Sequence, residues 1–149
     1  MSYAILRAML VVLDTSVVVA ALRSKNGASN ALLTRLARGK LGALATPPLF
    51  LEYEDVLLRP EHMAVHRFSN RQIEQYLSEL AALIHPVQIH FQWRPQLADP
   101  ADEIVLEAAL NGRADAIVTH NMKHFAPAIG RLGLRVLSPA DVLGRLRDE

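Results

Sequence analysis

Apolar positions fall into two alternating patterns along this chain: short unbroken runs, and longer stretches at helical spacing. Met9 to Leu13 is an unbroken run with two valines, closed by Asp14-Thr15-Ser16, which predicts a strand buried on both faces that ends in a polar turn. Val17 to Leu22 returns to apolar residues. Ser29 or Asn30 then stands where a cap is expected for a helix through Leu32, Leu33, Leu36 and Ala37, with Gly39 as its stop. Leu41 to Ala45 predicts a second strand. Thr46-Pro47-Pro48 starts a helix carrying Leu49, Tyr53, Val56 and Leu57 up to Arg59-Pro60. Ser69-x-x-Gln72 is a capping-box signature for a helix with Ile73, Tyr76, Leu77, Leu80, Leu83 and Ile84 on one face. Pro86 to Phe91 alternates apolar and polar residues and reads as a strand at a sheet edge.

The last third repeats the rhythm. Asp99-Pro100-Ala101-Asp102 opens a helix that runs to Asn111-Gly112, Ala116 to Thr119 is a buried strand, and Arg135 to Leu137 is another before a Ser138-Pro139 helix start. Short apolar strands alternating with amphipathic helices predict a parallel sheet covered by helices on both faces. Ligands in that architecture bind outside the carboxyl ends of the strands, which singles out Asp14 and the segment Thr119-His120-Asn121.

Composition narrows the class. The chain has 149 residues, 51% of them hydrophobic and 21% charged, which suits a single domain spanning 1–149 without a disordered tract. It has no cysteine, so disulfides, thiolate zinc sites and a cysteine nucleophile are excluded, and any metal must sit on oxygen or imidazole ligands. Sixteen Lys and Arg stand against fifteen Asp and Glu, a net charge of +1, so binding of nucleic acid has to be argued from a site and not from the whole-chain balance. Arg7 followed by apolar residues superficially resembles a leader, but Asp14 interrupts it and the apolar runs are far shorter than the roughly 20 residues of a membrane span. The expected location is the cytoplasm, with no membrane association.

Among candidate chemical groups, Asp14 follows a buried strand and stands beside two hydroxyls, Thr15 and Ser16; its plainer reading is a helix cap. Glu52, between Leu51 and Tyr53 with Glu54 and Asp55 close by, reads on its own as a solvated helix acid. Asp99 and Asp102 fit a cap and a first-turn acid favoured by the helix dipole, a role compatible with holding a metal. Asn121 offers a weak amide-oxygen ligand or a turn cap. His120 and His124 have a spacing seen in zinc sites, but neither an HExxH pattern nor a cysteine accompanies them, and a surface or capping role is the better reading. There is no GxGxxG, phosphate loop or GxSxG elbow. Acids gathered at one sheet edge would repel one another unless a hard cation, Mg²⁺ or Mn²⁺, neutralised them, and such a cup suits phosphodiester hydrolysis.

With those residues in view, the sequence resembles the PIN-domain ribonucleases, in particular the VapC-like toxins of toxin–antitoxin pairs. The resemblance rests on VVLDTSVVVAAL, PPLFLEYEDVLLRP, LADPADEIVLEAALNGRADAIVTHNMKHF and LRVLSPADVL, taken in order across most of the chain. It implies a three-layer α/β/α PIN-like domain with a central parallel sheet of about four or five short strands. It further implies a Mg²⁺- or Mn²⁺-dependent endoribonuclease with Asp14, Glu52 and Asp102 as catalytic, metal-binding acids, Asp99 as a further acidic ligand position, and Asn121 at the fourth catalytic position. Ser16, Thr119 and His124 would support the site. The sequence departs from many PIN nucleases in carrying Asn121 and His124 where those have Asp, which weakens a second metal site first. Arg23, Lys25, Arg35, Arg38 and Lys40 are local cations for RNA phosphate, with Arg23, Lys25 and Arg38 foremost; solvated helix charges are the alternative. The resemblance also implies a homodimer or larger homo-oligomer and an antitoxin protein as partner. The competing readings are a catalytically weak PIN-like module that binds RNA or protein, and a phosphotransfer domain using Asp14 as acceptor.

Overall fold

The computed structural model describes residues 8–92 and 96–147; Arg7, with which the leader-like stretch begins, lies outside them. Among the described residues five short strands form: β1 (Leu10–Leu13), β2 (Gly42–Ala45), β3 (Ile84–Pro86), β4 (Ala116–Val118) and β5 (Val136–Leu137); four of them, β1, β2, β4 and β5, stand where the sequence predicts strands. Every pairing is parallel, and the order across the sheet is β3-β2-β1-β4-β5. The described residues also form eight helices: α1 (Thr15–Arg23), α2 (Ala28–Ala37), α3 (Pro47–Leu57), α4 (Pro60–His66), α5 (Asn70–Leu83), α6 (Pro100–Gly112), α7 (Ala126–Leu132) and α8 (Pro139–Arg147), with a 3₁₀ turn at Met122–Phe125. Among the described residues no helix is long and apolar enough to cross a membrane.

The sheet and its helices make the expected α/β/α layers. α6 lies on β1, β2 and β4 and touches α3, while α1 packs on α2 and α3, and α2 on α8. Val11, Val12, Ile117 and Val118 are wholly buried at the centre of the sheet, between Val17, Val18, Leu32, Leu49, Leu106 and Ala108 of the helices. Removing that apolar area from water is the main stabilising term, at about 25 cal/mol per Å². The strand order carries a functional consequence. The chain moves outward from β1 to β2 and β3, then crosses back to the other side of β1 to lay down β4, so the order reverses between β1 and β4. Parallel sheets of this kind leave a crevice at that reversal.

Three local readings of the sequence change. The edge strand expected over Pro86 to Phe91 is Ile84–Pro86 instead, extended only by Val87, whose N–H donates to the Ala45 carbonyl at 2.9 Å. The N–H groups of His90 and Phe91 go to the Asn111 side-chain oxygen at 2.6 and 2.8 Å, so a side chain satisfies what a neighbouring strand would have. α2 is capped at Gly27, not at Ser29 or Asn30. Those two side chains bind elsewhere: the Ser29 hydroxyl meets His120 Nε2 at 2.6 Å, and Asn30 donates to the Ala21 carbonyl at 3.0 Å. α4 and α7, seven residues each, are additional to the elements the apolar pattern predicts; α4 buries no residue and α7 only Ala128. The capping box at Ser69 and Gln72 forms with both bonds present. Gly39 ends α2 with φ +74°, a left-handed conformation that glycine adopts without strain.

Candidate active site

β1 and β4 are neighbours in register, with Leu13 opposite Val118. The next residue on each strand, Asp14 and Thr119, therefore emerges at the same point of the crevice. The Asp14 N–H donates to the Val118 carbonyl at 2.9 Å, which carries the pairing one step past the strand. Both Asp14 and Thr119 are buried, at 7% and 0% exposure.

The two hydroxyls beside Asp14 orient it. Thr119 Oγ1 and Ser16 Oγ each donate to Asp14 Oδ2 at 2.7 Å. Both bonds use the same oxygen; among the described residues Oδ1 has no protein donor, which leaves one carboxylate oxygen for an external partner. Asp14 occupies the N-cap position of α1, but its side chain makes no capping bond, so the cap reading does not explain its placement. Behind it, Tyr53 of α3 donates its hydroxyl to the Leu13 carbonyl at 2.5 Å and pins the end of β1. Burial pushes the Tyr53 phenol well above its usual range, and the charge of Asp14 adds to the shift, so it remains a neutral donor.

Asp102 reaches the same region from the first turn of α6. It is buried at 8% exposure, and His124 Nδ1 stands 3.2 Å from its Oδ2. Burial lifts the Asp102 carboxyl above the usual carboxylate range; His124 opposes the shift, while the charges of Asp14 and Asp99 reinforce it. That mutual repulsion ties Asp14, Asp102 and Asp99 into one electrostatic group. Asp99 is the exposed N-cap of α6 and spends Oδ1 on the Ala101 N–H at 2.8 Å, so the capping role is real.

The expected convergence of Asp14, Glu52 and Asp102 on one point is not what the side chains form. Among the described residues no three His, Asp or Glu side chains stand together as a group able to hold a metal ion. Glu52 is half-buried on α3, two turns before Arg59, and its charge acts on that guanidinium. The donors present nevertheless fit a hard divalent cation in kind. Mg²⁺ is commonly held by one or two carboxylates, with waters and substrate phosphate completing its shell. Asp14 and Asp102 supply two carboxylates.

The segment after β4 lies as the strand-end rule predicts. The Asn121 N–H donates to Thr119 Oγ1 at 2.9 Å and its carbonyl accepts from His124 N at 3.0 Å, while its exposed side chain makes no capping bond. The His120 N–H donates to Ser16 Oγ at 3.2 Å. Of the cations, Arg23 is exposed and its Nη2 donates to His62 Nδ1 at 2.6 Å. Lys25, Arg38 and Lys40 are exposed and Arg35 is half-buried.

Three further side chains have roles that no local motif marks. Glu103, buried at 5%, accepts the N–H groups of Gln96 and of Leu97, the latter at 2.6 Å, and so holds the approach to α6. His62 and Ser29 fix the side chains of Arg23 and His120. Their partners are 39 and 91 residues away, so no local motif announces them.

The fold and site thus define an α/β/α domain with paired acids at the reversal of a parallel sheet. The PIN domain family profile matches residues 10–123, and the chain belongs to that family. Among solved structures it is similar to VapBC2 from Rickettsia felis, crystallised bound to a DNA fragment from their promoter. The TM-score is 0.61 at 14% identity, over 87% of this chain and 98% of that one, which is a likeness of fold. No curated protein matches the chain.

Proposed function

We propose that this protein is a Mg²⁺- or Mn²⁺-dependent endoribonuclease, the toxin of a toxin–antitoxin pair, acting in the cytoplasm as a homodimer or larger homo-oligomer. The observation that carries the reading is the aspartate held by two hydroxyls at the β1/β4 reversal, with a second desolvated aspartate in its field. Membership of the PIN family and the likeness to VapBC2 support it.

Asp14 and Asp102 would hold the ion; Ser16 and Thr119 donate to Asp14 and keep it in one rotamer, and His124 steadies Asp102. A bound divalent ion supplies an acidified water and neutralises charge on the phosphate. Glu52, Asp99 and Asn121 serve at the margin, through water. Arg23, Lys25 and Arg38 bind the RNA backbone. Water attacks phosphorus, the P–O3′ bond breaks, and the products carry a 3′-hydroxyl and a 5′-phosphate.

A mixed RNA pool with Mg²⁺ or Mn²⁺ tests the reading. Cleavage that stops with EDTA and in Asp14→Asn is expected; cleavage that survives either, or none at all, overturns it. The second reading, a PIN module that binds without cutting, is favoured by the absence, among the described residues, of three acidic or histidine side chains grouped to hold a metal ion. It predicts RNA binding without cleavage.

A further inference from the structure

Beside Asp14 a cleft of about 380 Å³ opens between α1, α3, α4 and the segment after β4, its walls including Ser16, Ala20, Arg23, Val56, His62 and Asn121. The volume lies within the range of about 300–1,000 Å³ of ordinary small-ligand sites. Ser16 belongs both to this cleft and to the support of Asp14, so whatever fills the cleft lies close to Asp14.

The chemistry of the wall is specific. Arg23 is tied to His62, not to an acid: Nη2 donates at 2.6 Å to Nδ1. An arginine has no lone pair to offer, so Nδ1 is the acceptor, the imidazole is neutral and its proton is on Nε2. Among the described residues no carboxylate pairs with Arg23, so its remaining N–H donors keep their full charge. A guanidinium fixed in orientation by a neutral ring, with donors unspent, matches the planar, bidentate geometry of phosphate. The same cleft is lined by the aliphatic groups of Ala20 and Val56 and by Asn121, whose side chain is exposed and makes no capping bond. An apolar wall against a base face and a hydrogen-bonding group at its edge are one way that an unstacked base is held.

On the nuclease reading above, we infer that this cleft is a nucleotide subsite flanking the scissile phosphate: Arg23, oriented by His62, takes a backbone phosphate of single-stranded RNA while Ala20, Val56 and Asn121 take its base. The cleft, more than the scattered charges of Lys25 and Arg38, then sets which residue is tolerated next to the cut.

The test is binding of a short fluorescent single-stranded RNA in EDTA, where no cleavage interferes, across a salt series. Arg23→Ala is expected to weaken binding about tenfold and to lower the salt slope by about 1, with the melting temperature kept. His62→Ala loses less, and His62→Gln, which retains a neutral acceptor, recovers the affinity. Arg71→Ala, in the first turn of α5 and outside the lining of this cleft, is the control and binds as the parent does. Ala20→Phe fills the cleft without touching a charge, and sequencing of cleavage products is expected to show a changed base preference beside the cut. Parent-like binding by Arg23→Ala, equal loss in Arg71→Ala, unchanged base preference in Ala20→Phe, or a parent that binds no RNA overturns the subsite. The nuclease reading falls separately: RNA bound through Arg23 and never cut keeps the subsite and removes the catalysis.

Discussion

Thr119 donates its hydroxyl to Asp14 Oδ2 across 2.7 Å although 105 residues separate them, because their strands are adjacent and in register. Asp14→Ala removes the acceptor of two hydroxyls, one of them in a fully buried residue. The expected cost in urea unfolding is about 1–3 kcal/mol. Asp14→Asn keeps an amide oxygen as acceptor and is expected to lose less. Equal stability of parent and Asp14→Ala would mean the two bonds hold nothing in place.

Asp102 is desolvated and repelled by Asp14 and Asp99, with His124 in partial compensation. Its folded pKa is raised, so its contribution to stability is complete at low pH. That contribution is lost as pH rises from the ordinary carboxylate value, 3.8, through the raised one. Asp102→Asn is therefore expected to melt higher than the parent at neutral pH in EDTA, with the gap closing below pH 3.8. A lower melting temperature at neutral pH would show that the charge is needed for the fold.

His62 has the opposite sign. Burial lowers its pKa below 6.5; Arg23, Arg59 and His66 add to the effect, and Glu61 opposes it. The stability it contributes is present above pH 6.5 and is lost as pH falls through the lowered value, when protonation destroys the acceptor for Arg23. An NMR titration of the ring is expected to give a value under 6.5 that moves upward in Arg23→Ala. A titration at or above 6.5 in the parent would remove the Arg23 to His62 bond from the solution structure.

The sheet was legible in the sequence because apolar runs bounded by turns leave few alternatives: β1, β2, β4, β5 and the helices after Pro47, Ser69, Pro100 and Pro139 stand where the pattern predicts. Asp14 and Thr119 were legible for the same reason, since residues after parallel strands meet at one edge. The pattern was silent on α4 and α7, which bury almost nothing and so leave no apolar stripe. It was silent too on the hydrogen bond from Arg23 to His62, because a pair 39 residues apart has no period. Glu52 shows the limit of motif order. The resemblance assigns it to the site by its order in the chain, while the side chain's position relative to Asp14 depends on how α3 seats against α1 and α6, which no spacing encodes.

Asn121 tests whether the margin of the site matters. Its side chain makes no capping bond, so Asn121→Asp is expected to leave the melting temperature near that of the parent and to tighten Mn²⁺ binding. His124→Ala in the same chain separates the amide position from a compensating imidazole nitrogen. Equal Mn²⁺ affinities with and without the new carboxylate would place residue 121 outside the site.

Calorimetric titration with Mn²⁺ of the parent, Asp14→Asn and Asp102→Asn measures directly whether Asp14 and Asp102 together hold one divalent cation at the β1/β4 reversal. One site per chain is expected in the parent, with a loss of about tenfold or more in each variant, since each removes one of the two charged ligands. A parent that takes up no Mn²⁺, or either variant binding it as tightly as the parent, would show that the two aspartates hold no common cation.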